Sequence, residues 1–187
     1  MKVPNLLTAS RLVLAPLFLV LFLGGGEAGR LWALLLVIYF EVSDMVDGAV
    51  ARRLGQTSQV GKILDPLADA VSRFTVFIGF LELDFAPLWA VVAIFYRDSI
   101  ISTVRTLAAS KGVILAARFS GKLKAIVQGT AIITLLVLWN SPDTFGMTDA
   151  DVKIHAHWWM TGVAVVTLYS LVDYLFGIRE TLRQLDA

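Results

Sequence analysis

The chain contains no cysteine, which rules out disulfides, thiolate metal centres and a cysteine nucleophile. Charge is scarce as well. Only 17% of the 187 residues are Asp, Glu, Lys or Arg, and they cancel to a net +1. That net value says little, its distribution says more, and nothing points to a nucleic-acid partner. There is no internal repeat and no low-complexity tract. The first apolar stretch, 12–23, lacks a clean small-x-small cleavage site and is long for a signal h-region, so a retained membrane helix is expected.

What the chain has in quantity is apolar character. It is 57% hydrophobic with a mean hydropathy of +0.75, which places it with polytopic membrane proteins. The length suits one compact helical domain over 1–187 with no room for a separate soluble one. A membrane crossing takes about 20 residues. The expectation is an all-α membrane protein with six transmembrane helices, at 6–23, 30–53, 61–82, 86–110, 121–140 and 155–177. Charged helix ends are allowed to project into a polar cavity. Turn signals separate the segments: Gly24-Gly25-Gly26, Gly55, the stretch 84–87, Gly112 and the polar stretch 141–151.

Basic residues collect on one side of this arrangement: Lys2, Arg11, Arg52, Arg53, Lys62, Lys111, Arg118, Lys122, Lys124, Arg179 and Arg183. The other side holds Arg30 and Lys153 against Glu27, Glu82, Asp84, Asp143, Asp149 and Asp151. By the positive-inside rule both termini are expected in the cytoplasm, and His155, Trp158 and Trp159 suit an interfacial belt on the opposite face.

Four aspartates interrupt the apolar segments: Asp44-x-x-Asp47-Gly48-x-x-Ala51-Arg52, eight residues, then Gly61-x-x-x-Asp65-x-x-x-Asp69. A carboxylate at membrane depth is costly and usually functional. Spacings of three and four put each pair on one face of its helix, and a turn around Gly55 would bring the pairs together. Oxygen-only ligands select Mg²⁺, Mn²⁺ or Ca²⁺. Four carboxylates exceed the need of one Mg²⁺ and fit two ions, an arrangement used for displacement at phosphorus. Gly48 and Ala51 leave room for a ligand against the helix, and Arg52 extends the same face toward phosphate oxygens. Singly, the small residues read as helix packing, Arg52-Arg53 as a cytoplasmic cap, and one aspartate as a bundle hydrogen bond. Together they read as a site, with the cavity at the cytoplasmic side.

The segment resembles, at every fixed position, the signature of the CDP-alcohol phosphatidyltransferases, D-x2-D-G-x2-A-R-x8-G-x3-D-x3-D. The resemblance implies a six-helix membrane fold, usually a homodimer, in the bacterial inner membrane. It implies a divalent metal, Mg²⁺ or Mn²⁺, and a CDP-linked lipid such as CDP-diacylglycerol. A phosphatidyl group passes to a hydroxyl acceptor and CMP is released. Carried over, Asp44, Asp47, Asp65 and Asp69 are the metal ligands. Asp69 is similar to the base that takes the acceptor's proton, and Asp44, Gly48, Ala51, Arg52, Gly61 and Thr8 line the CDP site.

The flanks narrow the branch. Val3-Pro4-Asn5-Leu6-Leu7-Thr8-Ala9-Ser10-Arg11, Leu64-Asp65-Pro66-Leu67-Ala68-Asp69, Arg97-Asp98-x2-Ile101-Ser102-x2-Arg105 and Gly121-Lys122-x-Lys124-x3-Gln128 resemble motifs of the phosphatidylglycerophosphate synthase branch. That branch implies glycerol 3-phosphate as acceptor. Arg97, Arg105, Arg118 and Lys122, with Lys124, could hold its phosphate. Three positions depart from the branch: Ala70 stands where lysine is usual, Asp98 where glutamate is, and Ala125 where threonine is. Ser72-Arg73 is similar to the inositol-accepting branch, so an inositol phosphate or another polar alcohol is the alternative acceptor. An ion-coupled transporter is the alternative outside the family, although repeated halves and broken midplane helices are missing from the sequence. The last two helices contribute only hydrophobic character to this reading.

Overall fold

The computed structural model describes residues 3–53, 59–113, 115 and 118–186, with side chains over 6–44, 46, 64, 66–113, 115 and 118–179. Among these the fold is entirely helical: α1 (Val3–Gly24), α2 (Gly26–Arg53), α3 (Gln59–Glu82), α4 (Leu88–Ser110), α5 (Phe119–Asn140) and α6 (Asp149–Asp186). One 3-10 turn, Asp143–Phe145, precedes α6.

The helices agree with the expected segments to within a few residues, except at α6, where apolarity alone put the start at 155. A reciprocal cap starts it earlier. The Thr148 backbone N–H donates to Asp151 Oδ2 at 2.9 Å, and the Asp151 N–H donates to Thr148 Oγ1 at 3.3 Å. Asp149 and Asp151 also place negative charge at the positive end of the helix. Among the described residues, the turn from α1 into α2 is the tightest between consecutive helices. Gly25 N–H donates to Leu21 O at 3.0 Å and Gly26 has φ +57°. A Cβ on Gly29 would run into the Leu21 carbonyl oxygen. Only glycine meets these demands together.

Helix α1 packs extensively against both α2 and α3, while α6 packs against α4 and α5. Contacts of α2 with α5 and of α3 with α4 join the two groups. At one end of the bundle Phe22, Phe80, Phe85 and Trp139 interlock, with Phe85 edge-on to Trp139 at 4.9 Å between centroids. This dry plug fixes the helices relative to one another. The ionisable side chains of the interior gather toward the other end: Arg11 on α1, Asp44 on α2, Asp69 on α3, and their counterparts on α4–α6.

The outer surface is as apolar as the core. Val13 is 75% exposed, Phe176 69% and Trp158 73%, which suits lipid rather than water. Among the described residues three helices are long and apolar enough to cross a membrane: Leu6–Gly24, Phe119–Asn140 and Asp149–Arg179. Helices α2, α3 and α4 carry interior charges, such as Glu41, Asp44, Asp69, Arg73, Arg97 and Asp98.

Candidate active site

Arg11, counted above among the basic residues of one membrane side, is instead buried in the bundle. Its side chain is 1% exposed, and Nη1 donates to Asp44 Oδ1 at 2.7 Å. Thr8, one turn earlier, is buried on the same helix. Ser10 Oγ lies 2.6 Å from Tyr39 Oη, a second polar tie between α1 and α2. The N-terminal motif therefore holds α1 against Asp44.

Asp69 is held in a related way. Arg73 lies one helical turn after Asp69, and its Nη2 donates to Asp69 Oδ1 at 2.9 Å. Its Nη1 sits 3.4 Å from Glu41 Oε1 on α2. Arg11, Glu41, Asp69 and Arg73 line one small cavity together with Val37, Phe40, Val76 and Ile132. So Asp44 and Asp69 belong to one electrostatically connected group, and the Arg73–Glu41 ion pair ties α3 to α2. Helix α1 packs on both, and the long side chains of Glu41 and Arg73 span the remainder. The described aspartates are also compensated by arginines, whereas the sequence suggested bare carboxylates. Among the described residues no donor reaches Asp69 Oδ2.

Asp47, Gly48, Ala51 and Arg52 lie on α2, and Gly61 and Asp65 on α3, but their side chains are outside the described residues. Among the described residues no three His, Cys, Asp or Glu side chains converge as a cation cage. The donor chemistry that is described fits a hard divalent ion. It is all carboxylate oxygen, and Asp69 keeps one oxygen clear of protein donors.

A second polar cluster joins α4, α5 and α6. Arg97 is buried; Nη1 donates to Asp98 Oδ1 at 2.9 Å and Nη2 to Ser170 Oγ at 2.6 Å. Lys124 Nζ donates to both Asp98 oxygens at 2.7 Å, so this lysine is a core residue rather than a surface charge. Arg118 forks onto Asp173, Nε to Oδ2 at 2.9 Å and Nη2 to Oδ1 at 2.8 Å. Ser120 Oγ adds a bond to the same carboxylate at 2.5 Å. Arg105 Nε donates to Tyr174 Oη at 3.3 Å, while Lys122 points outward and is exposed. Arg97 and Arg105 do share a face of α4, and that face meets α6.

Sequence reasoning missed Glu41 and the polar face of α6. The signal for Glu41 was its place three residues before Asp44, on the same side of α2. For α6 it was Thr167, Ser170, Asp173 and Tyr174 at helical spacing inside an apolar run. With this geometry in view, kinship can be read. Over residues 1–170 the chain matches the CDP-alcohol phosphatidyltransferase family. It belongs to that family.

Named relatives agree. The CDP-diacylglycerol--glycerol-3-phosphate 3-phosphatidyltransferase of Bacillus subtilis (strain 168) is 33% identical over 148 residues, 73% of this chain and 77% of that protein. A Mycobacterium tuberculosis protein named "Probable phosphatidylglycerophosphate synthase" is 33% identical over 187 residues, 95% of this chain and 85% of the relative. The "Cardiolipin synthase (CMP-forming)" of Streptomyces coelicolor is 36% identical over 104 residues, 54% of this chain and 48% of that protein. The chain is an enzyme of the CDP-alcohol phosphatidyltransferase class.

Proposed function

We propose that this enzyme transfers the phosphatidyl group of CDP-diacylglycerol to glycerol 3-phosphate, giving phosphatidylglycerophosphate and CMP. The observation that carries the chemistry is the pairing of Asp44 with Arg11 and of Asp69 with Arg73, carboxylates from two helices held in a mostly apolar bundle, with Arg11, Asp69 and Arg73 lining one small cavity. The names of the Bacillus and Mycobacterium relatives support the acceptor. In the reaction the glycerol hydroxyl oxygen forms a bond to the phosphorus that bears diacylglycerol. The bond from that phosphorus to the CMP oxygen breaks, and CMP leaves with the electron pair. The hydroxyl proton passes to a carboxylate, assigned to Asp69.

Asp44, Asp47, Asp65 and Asp69 would hold the divalent metal, Mg²⁺ or Mn²⁺, as two ions. Bound there, the metal supplies charge neutralisation at the pyrophosphate. Gly48, Ala51, Gly61 and Thr8 give the nucleotide close access to the helices, and Arg52 pairs with its phosphates. The acceptor phosphate is assigned to Arg97, Arg105, Arg118 and Lys122. Three of these are already oriented by α6, Arg97 through Ser170, Arg105 through Tyr174 and Arg118 through Asp173.

The enzyme is read as a single membrane domain over 1–187. All six helices are embedded, both termini are cytoplasmic, and the site opens to the cytoplasm of a bacterial inner membrane. The assembly is read as a homodimer. Three apolar helices, an apolar exterior and the basic charge bias support the membrane placement. Ser72 and Arg73, which favoured inositol phosphate on sequence, have local structural partners here. Ser72 Oγ donates to Ala68 O at 2.7 Å, and Arg73 binds Asp69.

The test is incubation of purified enzyme with CDP-diacylglycerol and, separately, glycerol 3-phosphate, inositol phosphate and phosphatidylglycerol, with identification of the lipid product and of CMP. Phosphatidylglycerophosphate and equimolar CMP are expected. Product from inositol phosphate alone would replace the acceptor and keep the reaction class. Ion flux in proteoliposomes without CMP release would overturn both.

A further inference from the structure

We propose that Glu41 and Arg73 act as a positioning pair for Asp69. Arg73 grips Oδ1, so that Oδ2 is the oxygen presented to the reacting hydroxyl. This rests on the reading of Asp69 as the carboxylate that takes the acceptor's proton.

Arg73 is 11% exposed, while Asp69 is 44% exposed. The guanidinium therefore reaches Asp69 from the buried side and leaves the carboxylate open on the other. A carboxylate alone could rotate about its terminal torsion, which is soft. A planar guanidinium between two carboxylates resists that rotation, because its donors lie in one rigid fork. Asp69 accepts a hydrogen bond of 2.9 Å from Nη2. Glu41 attracts the other arm as an ion pair, Oε1 lying 3.4 Å from Nη1 without a hydrogen bond.

Two features keep Glu41 in place. Helix α5 passes it at a glycine: a Cβ on Gly129 would lie 3.2 Å from Glu41 Oε2 and 3.5 Å from Cδ. At that distance the carboxylate must give by a few tenths of an ångström, so a larger residue at 129 would press on Glu41. The cavity beside the pair, walled by Val37, Phe40, Val76 and Ile132, measures about 10 Å³. That volume admits at most about one water, so protein rather than solvent sets the orientation of Arg73. A third acidic side chain otherwise has no use here, since a single arginine already neutralises Asp69. As the anchor for that arginine, it has one.

The full chain in detergent is assayed for CMP release from CDP-diacylglycerol with glycerol 3-phosphate, and binding of CDP-diacylglycerol is measured separately. Partners that orient a site carboxylate typically contribute about 10- to 100-fold to activity. Arg73→Gln is expected to lower kcat by that amount, with binding of the nucleotide lipid within about threefold of wild type. Glu41→Gln should lower kcat less, about three- to tenfold, because Asp69 still holds the guanidinium.

Where Arg73→Gln does not fold, Arg73→Lys carries the test. It keeps the buried charge without the fork and should lose about tenfold in kcat. Wild-type kcat in Arg73→Gln or Arg73→Lys overturns the pair. So does a loss of lipid binding with kcat unchanged. If Asp69→Asn itself still releases CMP at the wild-type rate, the assignment of Asp69 falls first. If Asp69→Asn is inactive and Arg73→Gln is not impaired, the positioning pair alone falls.

Discussion

The first three helices and the last three treat their buried carboxylates differently. On α4–α6, Asp98 and Asp173 are saturated. Both oxygens of Asp98 accept from Lys124, and both oxygens of Asp173 accept from Arg118, with Ser120 added. On α3, Asp69 is gripped through one oxygen only. A saturated carboxylate is structural glue, for its lone pairs are spent on the protein. Asp69 keeps 44% of its side chain exposed, and among the described residues no donor meets its second oxygen. The same residue type thus serves as fastener in one half of the molecule, while in the proposed function it takes a proton in the other.

Stripping divalent ions breaks the comparison most completely. Exhaustive chelation is expected to take CMP release to background, and added Mg²⁺ or Mn²⁺ to restore it. Full turnover by the stripped enzyme would sink the metal reading. Next comes Asp69→Asn, which keeps the size and removes the proton acceptor. It should cost about a hundredfold or more in kcat while the protein stays folded and binds CDP-diacylglycerol. Asp173→Asn is its control from the other half. It should lower thermal stability and leave kcat per folded molecule far less affected, and equal kcat losses in the two variants would erase the distinction.

A finer division lies among the arginines. Arg105→Ala should raise KM for glycerol 3-phosphate about ten- to a hundredfold, and KM for the nucleotide lipid little, as loss of a charge-assisted bond predicts. Arg52→Ala should show the reverse bias. Lysine at 105 should rescue only partly. Equal changes for both substrates would show that nucleotide and acceptor are not shared out in this way.

The smallest effect belongs to Gly177→Ala. A Cβ there would run into the Arg118 guanidinium, which must swing away from Asp173. Half-exposed ion pairs are weak, so KM for the acceptor should rise by roughly fivefold or less. A collapse of activity would mean that Arg118 matters more than its exposure suggests.

Much of this was legible in the residues. Hydropathy located the helices, since apolar runs and glycine breaks are local properties. The helical spacing of Asp44, Asp47, Asp65 and Asp69 singled out a candidate site, of which the side chains of Asp44 and Asp69 are described. What stayed hidden were pairings between distant segments. Arg11 looked like one more basic residue of a membrane side until α2 folded against it. Lys124 resembled a topology charge, yet it lies in the core because Asp98 is there to meet it. Asp173 and Ser170 were lost in an apolar run, since a polar residue on a long helix shows its purpose only when the facing helix is known. The early start of α6 was a matter of capping, which hydropathy does not register.

The pairing of Arg11 with Asp44 also bears on the order in which the chain can be built. Arg11 is synthesised 33 residues before its acceptor, so α1 enters the bilayer with that bond unmade. A charged residue at mid-membrane opposes insertion by about 2.5–3.5 kcal/mol; near the end of α1 it can reach toward the headgroups until α2 arrives. The later pairs wait longer. Arg118 precedes Asp173 by 55 residues, and Arg97 precedes Ser170 by 73. The nascent enzyme therefore closes its first polar joint early, as a two-helix hairpin. Its last joints close only when α6 has been made, so a stalled or truncated chain lacking α6 would leave Arg97 without Ser170 and Arg118 without Asp173.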